Sequence, residues 1–234
     1  MQYTFSFALV AVTALAGSLV APGWAARLPL FWVSSSFLLA AAAYAGLGPG
    51  LLGKRPDGTL PAWSYVVHGP FLLLGLVTMR AVHFATPEPP FHEVAPGVVL
   101  GRRPTRRDRE QFRALGVSAV LDLTAELPAS AALSGAERYR TLPVLDAEPP
   151  SPAQLADAVR WIDAALAEGR KVLVHCALGH GRSATVVAAW RLAHGAPGDA
   201  LDVEATLRRT RPGVRFTPPQ HLALEAWRRS LEAR

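Results

Sequence analysis

A cysteine and an arginine six residues apart are the side chains of this sequence most clearly able to carry out chemistry. The segment Lys171–Ser183 reads K-V-L-V-H-C-A-L-G-H-G-R-S, with Cys176, the single cysteine of the chain, near its middle and Arg182 near its end. A thiolate is a nucleophile, and a guanidinium binds two oxygens of a phosphate through its planar fork. The segment therefore offers a nucleophile and an anion-binding group together.

The residues around this pair predict a loop that favours the reaction of the thiol. An apolar strand runs directly into the cysteine, and Ser183–His194 has the composition of a helix. Gly179 and Gly181 permit backbone angles that turn several N–H groups inward, and a helix start behind them completes an anion-binding concavity. The same positive field favours the ionised form of Cys176, so this thiol is better interpreted as reactive than as a small buried hydrophobe.

This segment resembles the signature of the protein-tyrosine and dual-specificity phosphatase superfamily, which is His-Cys, five residues and then Arg-Ser. The resemblance covers about residues 91–230. Within it, Glu93–Gly101 looks like the opening strand of that family and Arg211–Leu222 like its closing segment. The chain is similar to bacterial membrane-bound dual-specificity-type phosphatases, which implies phosphomonoester hydrolysis through a phosphocysteine, with neither metal nor other cofactor.

The resemblance also implies a role for each residue of the loop. Cys176 attacks phosphorus, Arg182 and the loop N–H groups stabilise the oxygens, Ser183 hydrogen-bonds the thiolate, and His175 orients the loop. The residues expected to bind the substrate phosphate are Ala177, Leu178, Gly179, His180, Gly181 and Arg182. The side chain of His180 either adds positive charge or fills space.

A general acid for the leaving oxygen is expected on a proline-rich loop upstream of the cysteine. Asp146 lies 30 residues before Cys176, after a predicted strand, which is where the family keeps its acid. The alternatives are that Asp146 is an ordinary turn residue or that Glu148 has this role. Asp122 ends another predicted strand and is expected to be structural.

The substrate stays open between two classes. The first hypothesis is phosphotyrosine, phosphoserine or phosphothreonine on proteins near a membrane. The second is a lipid phosphate, such as a phosphatidylglycerophosphate-like or phosphoinositide headgroup. The loop interior has no lysine, which disfavours heavily charged inositol lipids. A catalytically silent phosphate-binding module is a third hypothesis, disfavoured because nucleophile, arginine, serine and candidate acid are all present.

The first 85 residues have the composition of a membrane region. They contain four basic side chains and one acidic side chain, while half of the whole chain is hydrophobic. Three apolar segments, Thr4–Val20, Leu28–Leu47 and Trp63–Met79, approach the ~20 residues of a membrane span. A buried apolar bundle is the alternative. We therefore predict a multi-pass protein of a bacterial inner membrane, with no nucleic-acid partner.

The basic residues predict an orientation for three such spans. Arg27, Arg80 and the arginines after residue 101 would lie on one side of the membrane, with Lys54 and Arg55 on the other. This bias places the carboxyl-terminal domain in the cytoplasm. A cluster comprising Arg102, Arg103, Arg106, Arg107 and Arg109 is either a solvated helix face or a group that binds anionic lipid or substrate phosphate.

After a stiff linker at residues 86–90, the pattern changes to alternating strands and helices. Strands are predicted at Val98–Leu100, Val117–Leu123, Tyr139–Leu145 and Lys171–Val174. Residues 91–234 should therefore form an α/β phosphatase domain whose central sheet is flanked by helices. Residues 1–85 should form an all-helical membrane region.

Overall fold

The computed structural model describes residues 2–133 and 136–233. The chain has two regions, the helical region, residues 2–85, and the α/β region, residues 91–233. The helical region contains three long helices, α1 (Gln2–Val20), α2 (Trp24–Ala42) and α3 (Ala62–Ala85), with a π-helical turn at Ala43–Leu47 and a 3₁₀ turn at Pro49–Leu52 between the last two. Each of the three is long and apolar enough to cross a membrane.

The α/β region is built on a five-stranded mixed sheet. Its strands are β1 (Phe91–Ala95), β2 (Val98–Arg102), β3 (Val117–Thr124), β4 (Arg138–Val144) and β5 (Lys171–Cys176). The order across the sheet is β1-β2-β5-β3-β4, in which β1 and β2 are antiparallel and the other neighbours are parallel. The helices are α4 (Arg109–Ala114), α5 (Pro152–Ala167), α6 (Arg182–Ala193), α7 (Ala200–Thr210) and α8 (Pro218–Glu232). The predicted α/β sheet flanked by helices is confirmed.

Strand alternation divides the apolar residues between two cores. Val98 and Val174 face the larger core, where they pack with residues of α5, α6, α7 and α8. Val99 and Leu173, their neighbours in sequence, face a smaller core that contains Phe112 of α4. Because both faces of the sheet are covered, the central strands read as continuous apolar runs.

Aromatic side chains join the three long helices to one another. Phe7 of α1, Phe37 of α2 and Phe71 of α3 pack edge to face, with ring centroids 5.4–6.1 Å apart. The same cluster includes Ala125 and Leu145, which follow strands β3 and β4. The core of the helical region is therefore continuous with the α/β region.

The loop between α2 and α3 is anchored in the α/β region by a buried ion pair. The Lys54 ammonium lies 2.7 Å from the Asp122 carboxylate, and both side chains have no exposed surface. It also donates to the carbonyl and hydroxyl oxygens of Thr124 at 2.7 Å. Nearby, the Ala129 N–H donates to the Gly58 carbonyl at 2.8 Å. The prediction that Lys54 and its neighbour Arg55 lie across the membrane from this region is wrong.

Helix α3 lies along the α/β region instead of projecting from it. The loop before it makes the Lys54 contacts, and at its other end the His83 Nε2 lies 3.1 Å from the Ala177 carbonyl oxygen. Twenty-four residues of helix extend ~36 Å, more than the thickness of the hydrocarbon core. A helix crossing the bilayer would place these two contacts on opposite faces of the membrane.

Helices α1 and α2 form a hairpin with one end at the α/β region. Tyr3 and Tyr44, at that end, line a cavity together with Cys176. The turn at residues 21–23 lies roughly 25 Å further along the helices, and the flanking Val20 and Trp24 are 82% and 76% exposed. The apolar outer faces of this hairpin have no protein partner among the described residues.

Candidate active site

Three parallel strands bring the candidate chemical groups to one edge of the sheet. Cys176 is the last residue of β5, Glu126 comes two residues after β3, and Asp146 comes two residues after β4. These strands are neighbours in the order β5-β3-β4, so their carboxyl ends meet. Such an edge is where α/β proteins commonly bind ligands.

Two donors hydrogen-bond the sulfur of Cys176. The Gly179 N–H lies 3.2 Å from Sγ and the Ser183 Oγ lies 3.3 Å from it. The side chain is almost fully buried, yet it lines the cavity beneath α1 and α3. These two contacts fix the position of the sulfur in the wall of the cavity.

Only glycine fits at position 179. Its φ is +76°, and a β-carbon there would lie 2.4 Å from the carbonyl carbon and oxygen of Gly101. The loop therefore packs directly on the backbone of β2. This close packing places the Gly179 N–H within hydrogen-bonding distance of the Cys176 sulfur.

Arg182 is buried and held by carboxylates at the end of the same loop. Its two terminal nitrogens each lie 2.8 Å from an oxygen of Glu126, and one donates to the Val144 carbonyl at 2.9 Å. Asp146 Oδ1 lies 3.1 Å away. The Arg182 Nε is buried and makes no hydrogen bond to any residue that the structure describes. Burial alone would lower the pKa of Arg182, but the carboxylates of Glu126 and Asp146 have the larger effect and raise it.

Glu126 is a site residue that the sequence analysis missed. Burial alone would favour its neutral form, yet the paired guanidinium lowers its pKa, so the carboxylate stays ionised. It positions Arg182 through two parallel hydrogen bonds, a geometry with strong directional preference. The available signal was a lone glutamate in T-A-E-L-P, immediately after a predicted strand.

Asp146 stands at the mouth of the site on a strained loop. Its side chain is 58% exposed and lines the cavity with Cys176, whereas Glu148 is not among the residues that line it. The next residue, Ala147, has φ +61°, the only positive φ outside glycine in the described residues. Such a backbone costs about 1 kcal/mol and persists where surrounding contacts hold it.

The closing segment of the α/β region holds this acid loop in place. The Thr217 Oγ1 donates to the Ala147 carbonyl at 2.9 Å, and the buried Gln220 Nε2 donates to the Glu148 carbonyl at 3.2 Å. A β-carbon at Gly181 would lie only 3.3 Å from the same glutamine. Gln220 therefore packs between the loop of Asp146 and residues 177–181, the candidate catalytic loop.

Arg211 holds the catalytic loop from its outer side. This buried guanidinium donates to the carbonyl oxygens of Gly179 and Leu178, each at 2.9 Å. It also pairs with Glu88 at 3.0 Å, and Glu88 accepts a 2.6 Å hydrogen bond from the ring of His180. Carbonyls directed outward leave the loop N–H groups free to face inward. The predicted linker at residues 86–90 thus contributes a contact to the site.

His175 is fully buried behind the nucleophile. Its Nδ1 lies 3.3 Å from the Cys176 carbonyl oxygen and 3.9 Å from Asp122. Burial lowers the pKa of His175, which keeps the ring neutral. Asp122 is also fully buried, which by itself would raise its pKa. The ammonium of Lys54 and the hydroxyl of Tyr139 nevertheless help to lower the pKa of Asp122. This network supports the strand end and agrees with the structural role expected for Asp122.

The cavity above the sulfur has a volume of about 370 Å³ and mostly apolar walls. Glu126, Asp146 and Cys176 lie on the side of the α/β region. The apolar walls from the helical region include Tyr3, Phe7, Tyr44, Phe71, Met79 and Val82. The helical region therefore covers the polar site with aromatic and aliphatic side chains.

Within residues 2–133 and 136–233, no group of three or more His, Cys, Asp and Glu side chains is placed to hold a metal ion. The expectation of metal-independent chemistry rests on the cysteine loop and stays a prediction, for which a chelator provides the test.

Comparisons with known proteins agree with the geometry of the α/β region. A family model described as "Swiss Army Knife protein, DSP-PTPase phosphatase domain" matches residues 89–223. The chain is 34% identical over 99 residues to Dual specificity protein phosphatase 2 of Homo sapiens, covering 42% of this chain and 31% of that protein. It is 41% identical over 101 residues to Dual specificity protein phosphatase 12 of Mus musculus, covering 42% and 30%. It therefore spans about a third of these relatives.

Solved structures are similar over about 60% of the chain. The active form of Tk-PTP is 31% identical with a TM-score of 0.54, covering 60% of this chain and 97% of that one. PTPMT1 in complex with PI(5)P shares the fold at 20% identity, with a TM-score of 0.56 and coverage of 62% and 98%.

The family match, at residues 89–223, covers more than half of the chain, and the structural likeness covers 60% of it. The chain belongs to the DSP-PTPase family, and its α/β region is a protein-tyrosine/dual-specificity-type phosphatase domain.

Proposed function

We propose that the chain hydrolyses phosphomonoesters in two steps at Cys176. In the first step the thiolate attacks phosphorus, the bond from phosphorus to the leaving oxygen breaks, and Asp146 gives that oxygen its proton. Loop N–H groups and Arg182, whose Nε has no protein partner, receive the equatorial oxygens. Glu126 and Arg211 are positioning residues, because they act through Arg182 and the loop carbonyls.

In the second step water attacks the phosphocysteine and releases inorganic phosphate. Asp146, now ionised, accepts a proton from that water, and the sulfur of Cys176 leaves as a thiolate. Ser183 stabilises the departing sulfur through its 3.3 Å contact. His175, neutral and buried, supports the loop and takes no part in proton transfer. We assign this chemistry to residues 91–234.

The favoured substrate is a phosphomonoester that carries an apolar chain. The observation that carries this choice is the composition of the cavity, in which the phosphate cradle is covered by aromatic and aliphatic side chains of α1 and α3. An acyl or prenyl chain matches such walls, and burying each of its methylenes contributes roughly 0.8 kcal/mol. A charged peptide segment would leave its polar backbone groups against an apolar wall.

A phosphorylated protein is the second candidate substrate. The observation in its favour is the sequence likeness to proteins named dual specificity protein phosphatases. These relatives align over only 42% of this chain, a length that fits within the α/β region. The helical walls are therefore the feature that separates the two candidates.

We further propose that the helical region anchors the enzyme, with the α1–α2 hairpin crossing the bilayer and α3 at its surface. Large apolar side chains on the outer faces are exposed, among them Phe5 at 73%, Val12 at 64% and Leu28 at 59%. Exposed apolar area of this extent is typical of a lipid contact. The contacts at both ends of α3 support a surface position for that helix.

A substrate panel tests the favoured function. Full-length protein in nonionic detergent would be assayed with phosphatidic acid, with glycerol 3-phosphate and with a set of phosphopeptides. We expect kcat/KM for the lipid to exceed that for glycerol 3-phosphate by at least about 100-fold, the contribution of a few buried methylenes. Phosphopeptides hydrolysed faster than the lipid would reverse the order of the two candidates.

A further inference from the structure

A second cavity, lined mainly by basic residues, lies on another side of the last turns of α3. Its volume is about 760 Å³, and Met79 lines both this cavity and the catalytic one. The helix contributes Arg80, His83 and Phe84. The last residue of β2 and the segment after it contribute four further arginines and threonine and aspartate side chains. We refer to it as the arginine cavity.

The positive charge of the arginine cavity is only partly compensated by the protein. Arg102 pairs with Asp108, the one acidic residue of the lining, at 2.8 Å. Arg103 donates to the Pro128 carbonyl at 2.7 Å. Among the described residues, the side chains of Arg80, Arg106 and Arg107 have neither an ion pair nor a hydrogen bond. Guanidinium groups gathered without counter-ions repel one another, which favours binding of an anion between them.

Two of the lining arginines, Arg80 and Arg103, lie close enough for their charges to interact. They come from different elements, the end of α3 and the segment after β2. Burial lowers the pKa of Arg103, and the nearby charge of Arg80 lowers it further. An anion placed between these two side chains would relieve the repulsion.

The position of the cavity indicates what kind of anion it receives. Phe84, on its rim, is 93% exposed, and the neighbouring Val82 is also exposed. A basic pocket beside exposed apolar side chains at the end of an apolar helix suits a phospholipid, whose phosphate meets the arginines while its acyl chains stay in the bilayer. A soluble phosphate would gain nothing from the exposed rim.

We propose that the arginine cavity binds the phosphate headgroup of an anionic membrane lipid that is distinct from the substrate. The inference rests on the membrane placement given under the proposed function. Of the two interpretations of the arginines at residues 102–109, it favours binding of anionic lipid over a solvated helix face.

The arginine cavity also has a direct connection to the catalytic loop. The His83 Nε2 and the Arg103 N–H both contact the carbonyl oxygen of Ala177, at 3.1 and 3.2 Å. Ala177 follows the nucleophile, and both contacting residues belong to the cavity lining. A headgroup that fixes these two residues would also fix the loop. Anionic lipid should therefore raise the rate on a small soluble substrate.

The test uses full-length protein in nonionic detergent micelles doped with phosphatidylglycerol or phosphatidylcholine. Native mass spectrometry reports the lipid retained, and hydrolysis of an aryl phosphate reports the rate. We expect preferential retention of phosphatidylglycerol and a higher rate in its presence. The double variant Arg106→Gln/Arg107→Gln should weaken phosphatidylglycerol retention roughly 10- to 30-fold and reduce the stimulation. Arg80→Gln, on a different element, should act in the same direction.

A matched control variant and a competition with a soluble phosphodiester test whether the lipid binds in the arginine cavity. Arg208→Gln/Arg209→Gln removes two exposed arginines from α7, outside the cavity, and should leave retention unchanged. Equal retention by wild type and by both cavity variants overturns the proposal, as does full displacement of the lipid by an equimolar soluble glycerophosphodiester. An inactive wild type would defeat the catalytic proposal, whereas full activity without lipid preference defeats only this one.

Discussion

Helices α1 and α6 are both apolar over most of their length, but only α6 is buried on all sides by the rest of the chain. In α6 nearly every side chain from Arg182 to Trp190 is buried, because the helix passes through the core of the α/β region. In α1 the outward side chains, such as Phe5 and Leu19, are more than 70% exposed. An apolar helix needs apolar surroundings on all sides, so α1 requires a partner other than this chain, and lipid fits that requirement.

The two regions nevertheless exchange residues at their boundary. The helical region supplies Lys54 to the interior of the α/β region and the apolar walls to the catalytic cavity. The α/β region supplies every group proposed to touch the phosphate. This contrast predicts that substitutions in the two regions will separate chemistry from stability and substrate choice.

The largest effect is expected for the nucleophile in the α/β region. Cys176→Ser should lower kcat by at least about 10⁴-fold, since the hydroxyl is a far weaker nucleophile at this position. Binding of inorganic phosphate, measured by calorimetry, should persist because Arg182 and the loop N–H groups remain. The wild-type rate on an aryl phosphate should be unchanged by EDTA. A wild-type activity that disappears on chelation would contradict the phosphocysteine mechanism.

The next effect concerns the tie between the regions. Lys54→Met should lower the free energy of unfolding by about 3–5 kcal/mol, because it leaves the Asp122 carboxylate buried without its counter-ion. Thermal unfolding in detergent, followed by tryptophan fluorescence, measures the change. Arg55→Met, at the exposed neighbouring position, is the control. If the two variants unfolded alike, the ion pair would not join the regions.

A second substitution should recover part of the stability that Lys54→Met loses. Asp122→Asn in the Lys54→Met background removes the unpaired charge, so it should restore part of the lost stability. A double variant less stable than Lys54→Met alone would show that Asp122 has another essential role.

A smaller effect is expected at the candidate acid. Asp146→Asn should slow hydrolysis of an alkyl phosphate by about 100- to 1,000-fold and that of a nitrophenyl phosphate far less, since only the alkoxide needs a proton to leave. The comparison of kcat between the two substrates provides the measurement. Glu148→Gln should change neither. Equal losses for both substrates would remove the acid role from Asp146.

The smallest effect is expected in the cavity wall. Tyr3→Ala should lower kcat/KM for a lipid phosphate by roughly tenfold, from lost apolar contact, while an aryl phosphate is hydrolysed as before. Phe5→Ala, two residues along the same helix and facing outward, provides the matched control. If both variants lost the same amount, α1 would act as an anchor and not as part of the binding site.

Local signals predicted much of the fold. Helix α5 has a proline in its first turn and a capping box, in which Ser151 and Gln154 exchange hydrogen bonds. A 3₁₀ turn at Arg106–Asp108 precedes α4, and there Asp108 accepts a hydrogen bond from the Thr105 N–H. These elements depend on neighbours within four residues, so their sequence contains the information.

By itself the sequence determined the catalytic loop, because nucleophile, glycine turn, arginine and serine lie within eight consecutive residues and the conformation of a short loop depends mainly on its own residue types. Only the tertiary structure decided what surrounds that loop. Glu126 reaches Arg182 across 56 residues and Lys54 reaches Asp122 across 68. Lone charged residues have no periodicity from which such partners could be predicted. Parallel pairing of β3 with β5 brings Glu126 to Arg182, and packing of the helical region on the sheet brings Lys54 to Asp122.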